Sequence, residues 1–358
     1  MSTLEPPYGE RDADGMAARI GAIPRDIDEA LARVAAAPWR LPAGAPVLLA
    51  LGGMGGSAIA GDLTAGAFAD ALPRPLAVVR ERAWPGWVGR DGLALLSSCS
   101  GDTEETLALY DAAGERGVPR LALTRGGTLA ARARRDGVFV AELPPGGPPR
   151  AALFSSWVPV TALVHALGWI PDPAGAWREA AAAVREQEAA IGPASPEAAN
   201  PAKQLARALH GRLPLLYGAA PRIGPVLLRW RQQLHENAKL LGHSAVVPEL
   251  GHNEIVGWER PGPLEGRAAV VVLHDAEDPP GERARLALTA EFARRRGATV
   301  HEIRSPDGGR LARLAARVHF GDYVSFYLAL LGGADPTPIA SIDEFKRRLA
   351  APGRTHGG

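Results

Sequence analysis

The chain has 358 residues, enough for about two domains with sizeable cores, which excludes a small module stabilised mainly by disulfides or metals. Its 40 basic and 39 acidic residues leave a formal charge of +1, so no overall field draws it to nucleic acid or to an anionic membrane. Any anion that the protein binds must therefore be held by a local site.

Cys99 is the only cysteine, which excludes an internal disulfide and a multi-cysteine metal site and suits a reducing cytoplasm. Two acidic residues near the start, Glu5 and Glu10, precede any apolar run, unlike the pattern of a secretory signal. The longest weakly charged stretch, 151–169, contains serine, proline and histidine, which favours a buried helix over a membrane span. We expect a soluble cytoplasmic protein that binds neither nucleic acid nor membrane.

Short apolar runs alternate with helical patterns through the first half of the chain. Strand, helix and strand at this spacing predict βαβ units and a parallel sheet covered by helices on both faces. The predicted strands are 47–51, 76–79, 93–96, 120–123 and 138–141, and the predicted helices are 57–68, 103–113, 151–167 and 177–191.

The segment 192–196, Gly-Pro-Ala-Ser-Pro, is the strongest linker signal, and the alternation begins again after it. We therefore expect an α/β protein of two αβα subdomains, residues 1–191 and 192–358, each with a mostly parallel sheet. Ligands are expected at the carboxyl ends of the strands and between the halves. In the second half the predicted strands are 213–217, 269–273 and 299–303, and the predicted helices are 223–241, 281–295, 310–318, 323–331 and 342–349.

A glycine-rich turn follows the first predicted strand and opens a helix. Its glycines allow the backbone to approach a ligand closely and to direct N–H groups at it. The run Gly53-Met54-Gly55-Gly56-Ser57-Ala58 also matches the dinucleotide fingerprint G-x-G-x-x-A. That fingerprint needs an acidic residue at the end of the next strand, where this chain has Arg80, so a nicotinamide site is disfavoured.

The loop 97–106, Ser-Ser-Cys-Ser-Gly-Asp-Thr-Glu-Glu-Thr, follows another predicted strand and opens another helix. One interpretation is a capping box, in which Asp102 is the N-cap residue and Glu105 reaches back to it. A capping box accounts for the helix start but not for the hydroxyl groups around it.

Three hydroxyl groups in this loop belong to Ser98, Ser100 and Thr103. They surround a helix start, where free N–H groups and the helix dipole favour an anion. We predict that they form a cup for a phosphate monoester. Cys99 lies inside the cup without a local base, so we interpret it as a packing residue and not as a nucleophile.

The two loops together resemble the sugar isomerase (SIS) fold, which binds phosphosugars. The resemblance implies that Gly55, Gly56 and Ser57 close around the sugar while the hydroxyl cup binds its phosphate. Asp102 stands where that pattern usually has asparagine. Because this residue contributes mainly backbone contacts and capping, we expect a modest effect on affinity and the same ligand class.

The most specific signal lies in the second half of the chain. The run Glu236-Asn237-Ala238-Lys239 ends a predicted helix, and 248–254, Pro-Glu-Leu-Gly-His-Asn-Glu, follows as a loop. Together they resemble the bifunctional phosphoglucose/phosphomannose isomerase family. The resemblance implies that Glu236 is the proton-transferring base and that His252 assists ring opening from the neighbouring subunit.

The resemblance extends to the C-terminal part of the chain. The runs 335–339, Asp-Pro-Thr-Pro-Ile, and 342–346, Ile-Asp-Glu-Phe-Lys, are similar to the closing segment of the family. They imply that Lys346 contributes to ring opening, and we expect the small Thr337 to leave room for either C2 epimer. Arg150, after a run of proline and glycine, stands where the family has an arginine that faces the enediolate.

These residues also have purely structural interpretations. Taken alone, Glu236 is a helical partner of Lys239 on a solvated face, and His252 is an ordinary loop histidine. His243, His252 and Glu254 lack the spacing of a helical zinc site, so metal-dependent isomerisation is disfavoured and no cofactor is expected. The catalytic interpretation is favoured because all the motifs occur together and in the family's order.

The sequence therefore predicts a homodimeric aldose–ketose isomerase that needs no metal. It would interconvert glucose 6-phosphate or mannose 6-phosphate with fructose 6-phosphate by glutamate-mediated proton transfer through a cis-enediolate. Two alternatives stay open: a phosphosugar-binding sensor or regulator without turnover, and an isomerase of another phosphosugar.

Overall fold

The computed structural model describes residues 4–350, and in that range two parallel sheets are flanked by helices, which confirms the predicted α/β fold. The central strands are buried along their whole length because helices cover both faces of each sheet. The first sheet contains β1 (Leu49–Gly53), β2 (Leu76–Val79), β3 (Leu93–Ser98), β4 (Arg120–Thr124) and β5 (Val140–Glu142), and the second contains β6 (Leu213–Ala219), β7 (His243–Val247), β8 (Ala268–Leu273) and β9 (Thr299–Ile303).

The helices surround these sheets and also fill the space between them. Before residue 192 they are α1 (Met16–Gly21), α2 (Ile23–Ala36), α3 (Gly55–Ala67), α4 (Glu104–Glu115), α5 (Gly127–Arg135), α6 (Leu153–Ala166) and α7 (Ala174–Ile191). After it they are α8 (Pro201–Leu209), α9 (Ile223–Glu236), α10 (Glu254–Gly257), α11 (Pro280–Arg295), α12 (Arg310–Leu331) and α13 (Ala340–Ala350). None of the helices within residues 4–350 combines the length and the apolar run needed to cross a membrane.

The strand order creates a crevice in each sheet. In the first sheet the order is β2-β1-β3-β4-β5, so the chain leaves β1 on one side and returns to β3 on the other. The second sheet repeats this arrangement as β7-β6-β8-β9. Loops that leave neighbouring strands in opposite directions separate at the carboxyl ends, which is where open α/β sheets bind ligands.

The helix α12 joins the two halves into one core. Every residue from Leu311 to Leu330 is buried, and the helix packs against α7, α8 and α9. The largest hydrophobic cluster therefore contains residues from both sides of position 192. A helix enclosed by other helices in this way is buried on all sides, so it shows no single apolar stripe.

The sequence prediction of two helices in this region was wrong, because 310–331 forms a single helix. Gly321 and Asp322 suggest a break, but both are required by the packing around them. A Cβ at Gly321 would lie 2.2 Å from Nε1 of Trp230, and Asp322 pairs with Arg229. Tertiary contacts thus override the low helix propensity of these residues.

Ion pairs also connect the halves at the start of α12. Arg310 donates to the carboxylate of Asp70, just after α3, and contacts Glu277 in the loop after β8. Arg313, one turn further on, donates to both carboxylate oxygens of Asp275 at 3.2 Å. The loop after β8 therefore presents two carboxylates, of Asp275 and Glu277, that are already paired with arginines of α12.

Replacing Gly321 with Ala should destabilise the protein, because the added methyl group overlaps the indole of Trp230. We expect a loss of roughly 1–3 kcal/mol in the free energy of unfolding, measured by chemical denaturation. Gly175→Ala in α7 is the matched control, since no atom of residues 4–350 lies within 4 Å of a Cβ at Gly175. An equal effect of the two substitutions would contradict the packing described for α12.

Candidate active site

The glycine-rich turn and the hydroxyl loop meet at the crevice of the first sheet. Gly53 at the end of β1 lies opposite Ser97 at the end of β3, and a Cβ on Gly53 would be 2.7 Å from the Ser97 carbonyl oxygen. The backbone N–H of Cys99 donates to Oγ of Ser57 at 3.1 Å. The two loops are thus held together by a direct hydrogen bond.

The hydroxyl loop is ordered by its own hydrogen bonds. Oγ of Ser98 accepts from the N–H of Gly101 at 3.1 Å and lies 3.0 Å from Oγ1 of Thr103. Oγ of Ser100 accepts from the N–H of Asp102 at 3.2 Å. These contacts place three hydroxyl groups at the start of α4, where backbone N–H groups favour an anion.

The predicted capping box is wrong. Helix α4 begins at Glu104 with Thr103 as its N-cap residue, and no side chain in the described part of the chain caps it. Asp102 instead accepts from the N–H of Thr128 at 2.9 Å, and its hydrogen bonds to Thr128 hold the pKa of its carboxyl below the usual value. Asp102 therefore carries a negative charge beside the loop at neutral pH.

Cys99 is buried, and this burial raises the pKa of its thiol. A nearby positive charge on Arg125 acts in the opposite direction but is the weaker influence. The thiol is therefore protonated at neutral pH, which agrees with its interpretation as a packing residue.

Helix α9 ends at Glu236, five residues earlier than predicted, and this end shapes the site. Lys239 has a left-handed backbone with φ of 55°, which is unusual for a residue with a Cβ. Its Nζ donates to the carbonyl oxygens of Glu236 and Pro336, at 2.6 and 3.2 Å. The alternative side-chain pair between Glu236 and Lys239 is thus wrong, because the lysine bonds to the main chain.

Arg150 is the central residue of the site. It is 2% exposed, and Nη1 lies 3.5 Å from Oε2 of Glu236. Its Nη2 donates to the carbonyl oxygens of Pro336 and Thr337, both at 2.7 Å, and its Nε donates to Oδ1 of Asn237 at 2.7 Å. Burial lowers the pKa of the guanidinium, but arginine remains charged at neutral pH.

The structure brings most of the predicted site residues into one continuous strip. A Cβ on Gly56 would lie 3.2 Å from the Pro149 carbonyl oxygen, so the turn at the start of α3 touches the segment that carries Arg150. Along this strip lie Ser98, Ser100, Thr103, Ser57, Gly55, Gly56, Arg150, Glu236 and Thr337.

Two predicted residues lie apart from the strip. His252 is exposed at the end of a short 3₁₀ turn, Glu249–His252, and Lys346 is exposed on α13. No hydrogen bond or ion pair within residues 4–350 joins either side chain to Glu236 or Arg150. Their predicted roles in ring opening therefore remain predictions.

Sequence reasoning missed the buried polar residues that support Arg150. In the sequence Asn237 stands out only as part of the Glu-Asn-Ala-Lys motif, and no motif marks Ser325, Asp322 or Arg229 as members of the network around Arg150. For Asp322 and Ser325 the sequence signal is that polar residues interrupt the otherwise apolar pattern of α12.

The fold is that of the SIS class of proteins. A solved structure described as a glucose-6-phosphate isomerase like protein from Thermus thermophilus has a TM-score of 0.63 with 22% identity, covering 97% of this chain and 99% of that chain. A family model, the bacterial phospho-glucose isomerase C-terminal SIS domain, matches residues 198–349.

Curated relatives narrow this class further. A bifunctional phosphoglucose/phosphomannose isomerase from Caldicellulosiruptor bescii is 38% identical over 298 residues, which is 83% of this chain and 88% of that protein. One from Aquifex aeolicus is 30% identical with the same coverage. The chain belongs to the bifunctional phosphoglucose/phosphomannose isomerase family.

Proposed function

We propose that this protein is a cytoplasmic aldose–ketose isomerase that interconverts glucose 6-phosphate and mannose 6-phosphate with fructose 6-phosphate, without a metal or other cofactor. The observation that carries the proposal is the contact between the buried Arg150 and Glu236 beside the hydroxyl loop. It supplies a general base and a cation next to a phosphate site in a chain of this family.

The reaction moves a proton between C2 and C1 of the open-chain sugar. The hydroxyl groups of Ser98, Ser100 and Thr103 hold the phosphate, and Gly55, Gly56 and Ser57 close around the sugar. Phosphate binding at one end of a flexible substrate positions the reacting carbons at the other end.

The catalytic steps are then assigned to four residues. Glu236 removes the proton from C2 and returns it to C1 through a cis-enediolate, while the proton of the C2 hydroxyl passes to the oxygen on C1. The positive charge of Arg150 stabilises the negative charge that develops. His252 and Lys346 open the ring before this step. Thr337, held through its carbonyl oxygen by Arg150, leaves room for either epimer at C2.

The site is proposed to be completed in a homodimer, in which His252 comes from the neighbouring subunit. Two observations support this assignment. His252 is exposed in a single chain, and apolar side chains near its loop are also exposed, Leu241 by 77% and Val256 by 57%. Exposed apolar residues around a functional loop are typical of an interface.

Replacing Glu236 with Gln keeps the shape of the side chain but removes the base. We expect kcat to fall by about 10² to 10⁴-fold with both glucose 6-phosphate and mannose 6-phosphate in coupled assays. Glu186→Gln, an exposed change on α7, is the control and should leave kcat unchanged. Near-normal turnover of the Glu236 variant would contradict the role of Glu236 as the base. Loss of wild-type activity in EDTA would contradict the metal-free mechanism.

Replacing Asp102 with Asn removes a negative charge from the phosphate loop while keeping an oxygen for Thr128. We expect KM for either sugar phosphate to fall about two- to fivefold at low ionic strength, with less effect at high salt and little change in kcat. Asp111→Asn, further along α4 and paired with Arg132, should leave KM unchanged. A KM that does not respond to the Asp102 change at any salt concentration argues against phosphate binding at this loop.

Mixed dimers test the position of His252. When His252→Ala and Glu236→Gln subunits are unfolded and refolded together, each heterodimer contains one complete site if the histidine crosses the interface. We expect recovery of about a quarter of wild-type activity, because about half of the dimers are mixed and each has one of two sites intact. No recovery, despite mixed dimers shown by native mass spectrometry, would refute this assignment.

A further inference from the structure

The hydrogen bonds of Arg150 leave one part of its guanidinium available to the site. Nε and Nη2 are both used, the first by Asn237 and the second by two backbone carbonyls. Within residues 4–350 Nη1 has no hydrogen-bond partner, and it is the nitrogen that lies 3.5 Å from Oε2 of Glu236. Because a guanidinium is planar and rigid, fixing two of its nitrogens also fixes the direction of the third.

Within residues 4–350, Asn237 is the only side chain that accepts a hydrogen bond from Arg150. The orientation of its amide group is fixed by hydrogen bonds of both its oxygen and its nitrogen. It is fully buried directly after Glu236. Its Nδ2 donates to Oγ of Ser325 at 3.0 Å, and that hydroxyl donates its single proton to the Asp322 carbonyl oxygen at 2.7 Å. Ser325 can therefore only accept from Asn237, so Oδ1 must face Arg150.

The hydrogen bonds then close into a ring. Asp322 pairs through its carboxylate with Arg229, at 3.1 and 2.8 Å, and Nη2 of Arg229 donates to the backbone carbonyl oxygen of Arg150 at 2.7 Å. The members of this ring, Arg150, Asn237, Ser325, Asp322 and Arg229, are each at most 3% exposed. Both the main chain and the side chain of Arg150 are thus held by the same buried network.

The two buried arginines of the ring have hydrogen-bond partners of different charge. Arg229 is neutralised by the carboxylate of Asp322 in a two-pronged ion pair. Arg150 is held by an amide and two carbonyl groups, and its closest carboxylate is that of Glu236. An amide orients a guanidinium without cancelling its charge, whereas a carboxylate in the same place would do both.

We propose that Asn237 is a positioning residue that fixes Arg150 while leaving its positive charge available to Glu236 and to the anionic intermediate. The proposal rests on the proposed isomerase function of the same site. It explains why an amide, and not a carboxylate, follows the catalytic glutamate.

Asn237→Asp tests the proposal, since it keeps the shape and the oxygen that faces Arg150 but adds a counter-charge. We expect kcat for both sugar phosphates to fall about 10- to 100-fold, with KM changed by less than about threefold because the phosphate is bound elsewhere. In an Arg150→Lys background, which has no Nε, the same change should cost less than about threefold further. If Asn237 had a purely structural role, kcat and KM would not be affected so differently, and kcat would fall equally in the wild-type and Arg150→Lys backgrounds.

Asn200→Asp is the matched control, because Asn200 is also fully buried but caps α8 away from the site. It should lower the melting temperature without lowering kcat. If Asn237→Asp does not fold, Ser325→Ala is the milder variant, since it frees the amide of Asn237 and should lower kcat about three- to tenfold at constant KM. The proposal would be overturned if kcat were unchanged in whichever of Asn237→Asp and Ser325→Ala fold.

A binding measurement separates this proposal from the proposed function. Arabinonic acid 5-phosphate carries a carboxylate that mimics the two enediolate oxygens, and sorbitol 6-phosphate is its neutral counterpart at the same end. By calorimetry, Asn237→Asp should weaken the first about tenfold and the second less than twofold. Equal effects on the two probes overturn the role of Asn237. Absence of isomerisation by the wild-type protein refutes the proposed function alone, because this measurement needs no turnover.

Discussion

The site depends on one constraint, the burial of the Arg150 guanidinium without a carboxylate that binds it through two hydrogen bonds. Arg150 keeps its charge at neutral pH, so its burial is tolerable only where dipoles and Glu236 surround it. Those groups come from the end of α9 and from the segment that contains Pro336 and Thr337, while α12 orients Asn237 through Ser325. The elements must therefore assemble for the charge to be satisfied, and the assembly that satisfies it also builds the site.

The two halves share a topology but differ in what fills the crevice at the carboxyl ends of their strands. In the first sheet, hydroxyl groups and backbone N–H groups surround the loop after β3. In the second, the corresponding loop after β8 contains Asp275 and Glu277, which pair with arginines of α12. The protein's own carboxylates thus occupy the second crevice and help to join the halves, while the first keeps groups suited to an external anion.

Sequence patterns were most accurate where local and tertiary preferences agree. The strands 76–79 and 299–303 were predicted with the observed ends, because alternating or continuous apolar runs bounded by breakers are local signals. Helix α5 was missed, since its many arginines hide the small buried face formed by Leu129, Ala130 and Ala133. The end of α9 and the continuity of α12 were also mispredicted, because both depend on groups that lie far away in the chain.

The sequence by itself determined the fold class and the family, since these reside in short motifs whose chemistry is local. Glycines at a strand end, hydroxyls at a helix start and a glutamate at a helix end are recognisable one segment at a time. Only the tertiary structure decided how Arg150 is held, because its partners are separated from it by 79 to 187 positions. Satisfying a buried charge is a property of the space around it, and that space exists only after the halves have packed together.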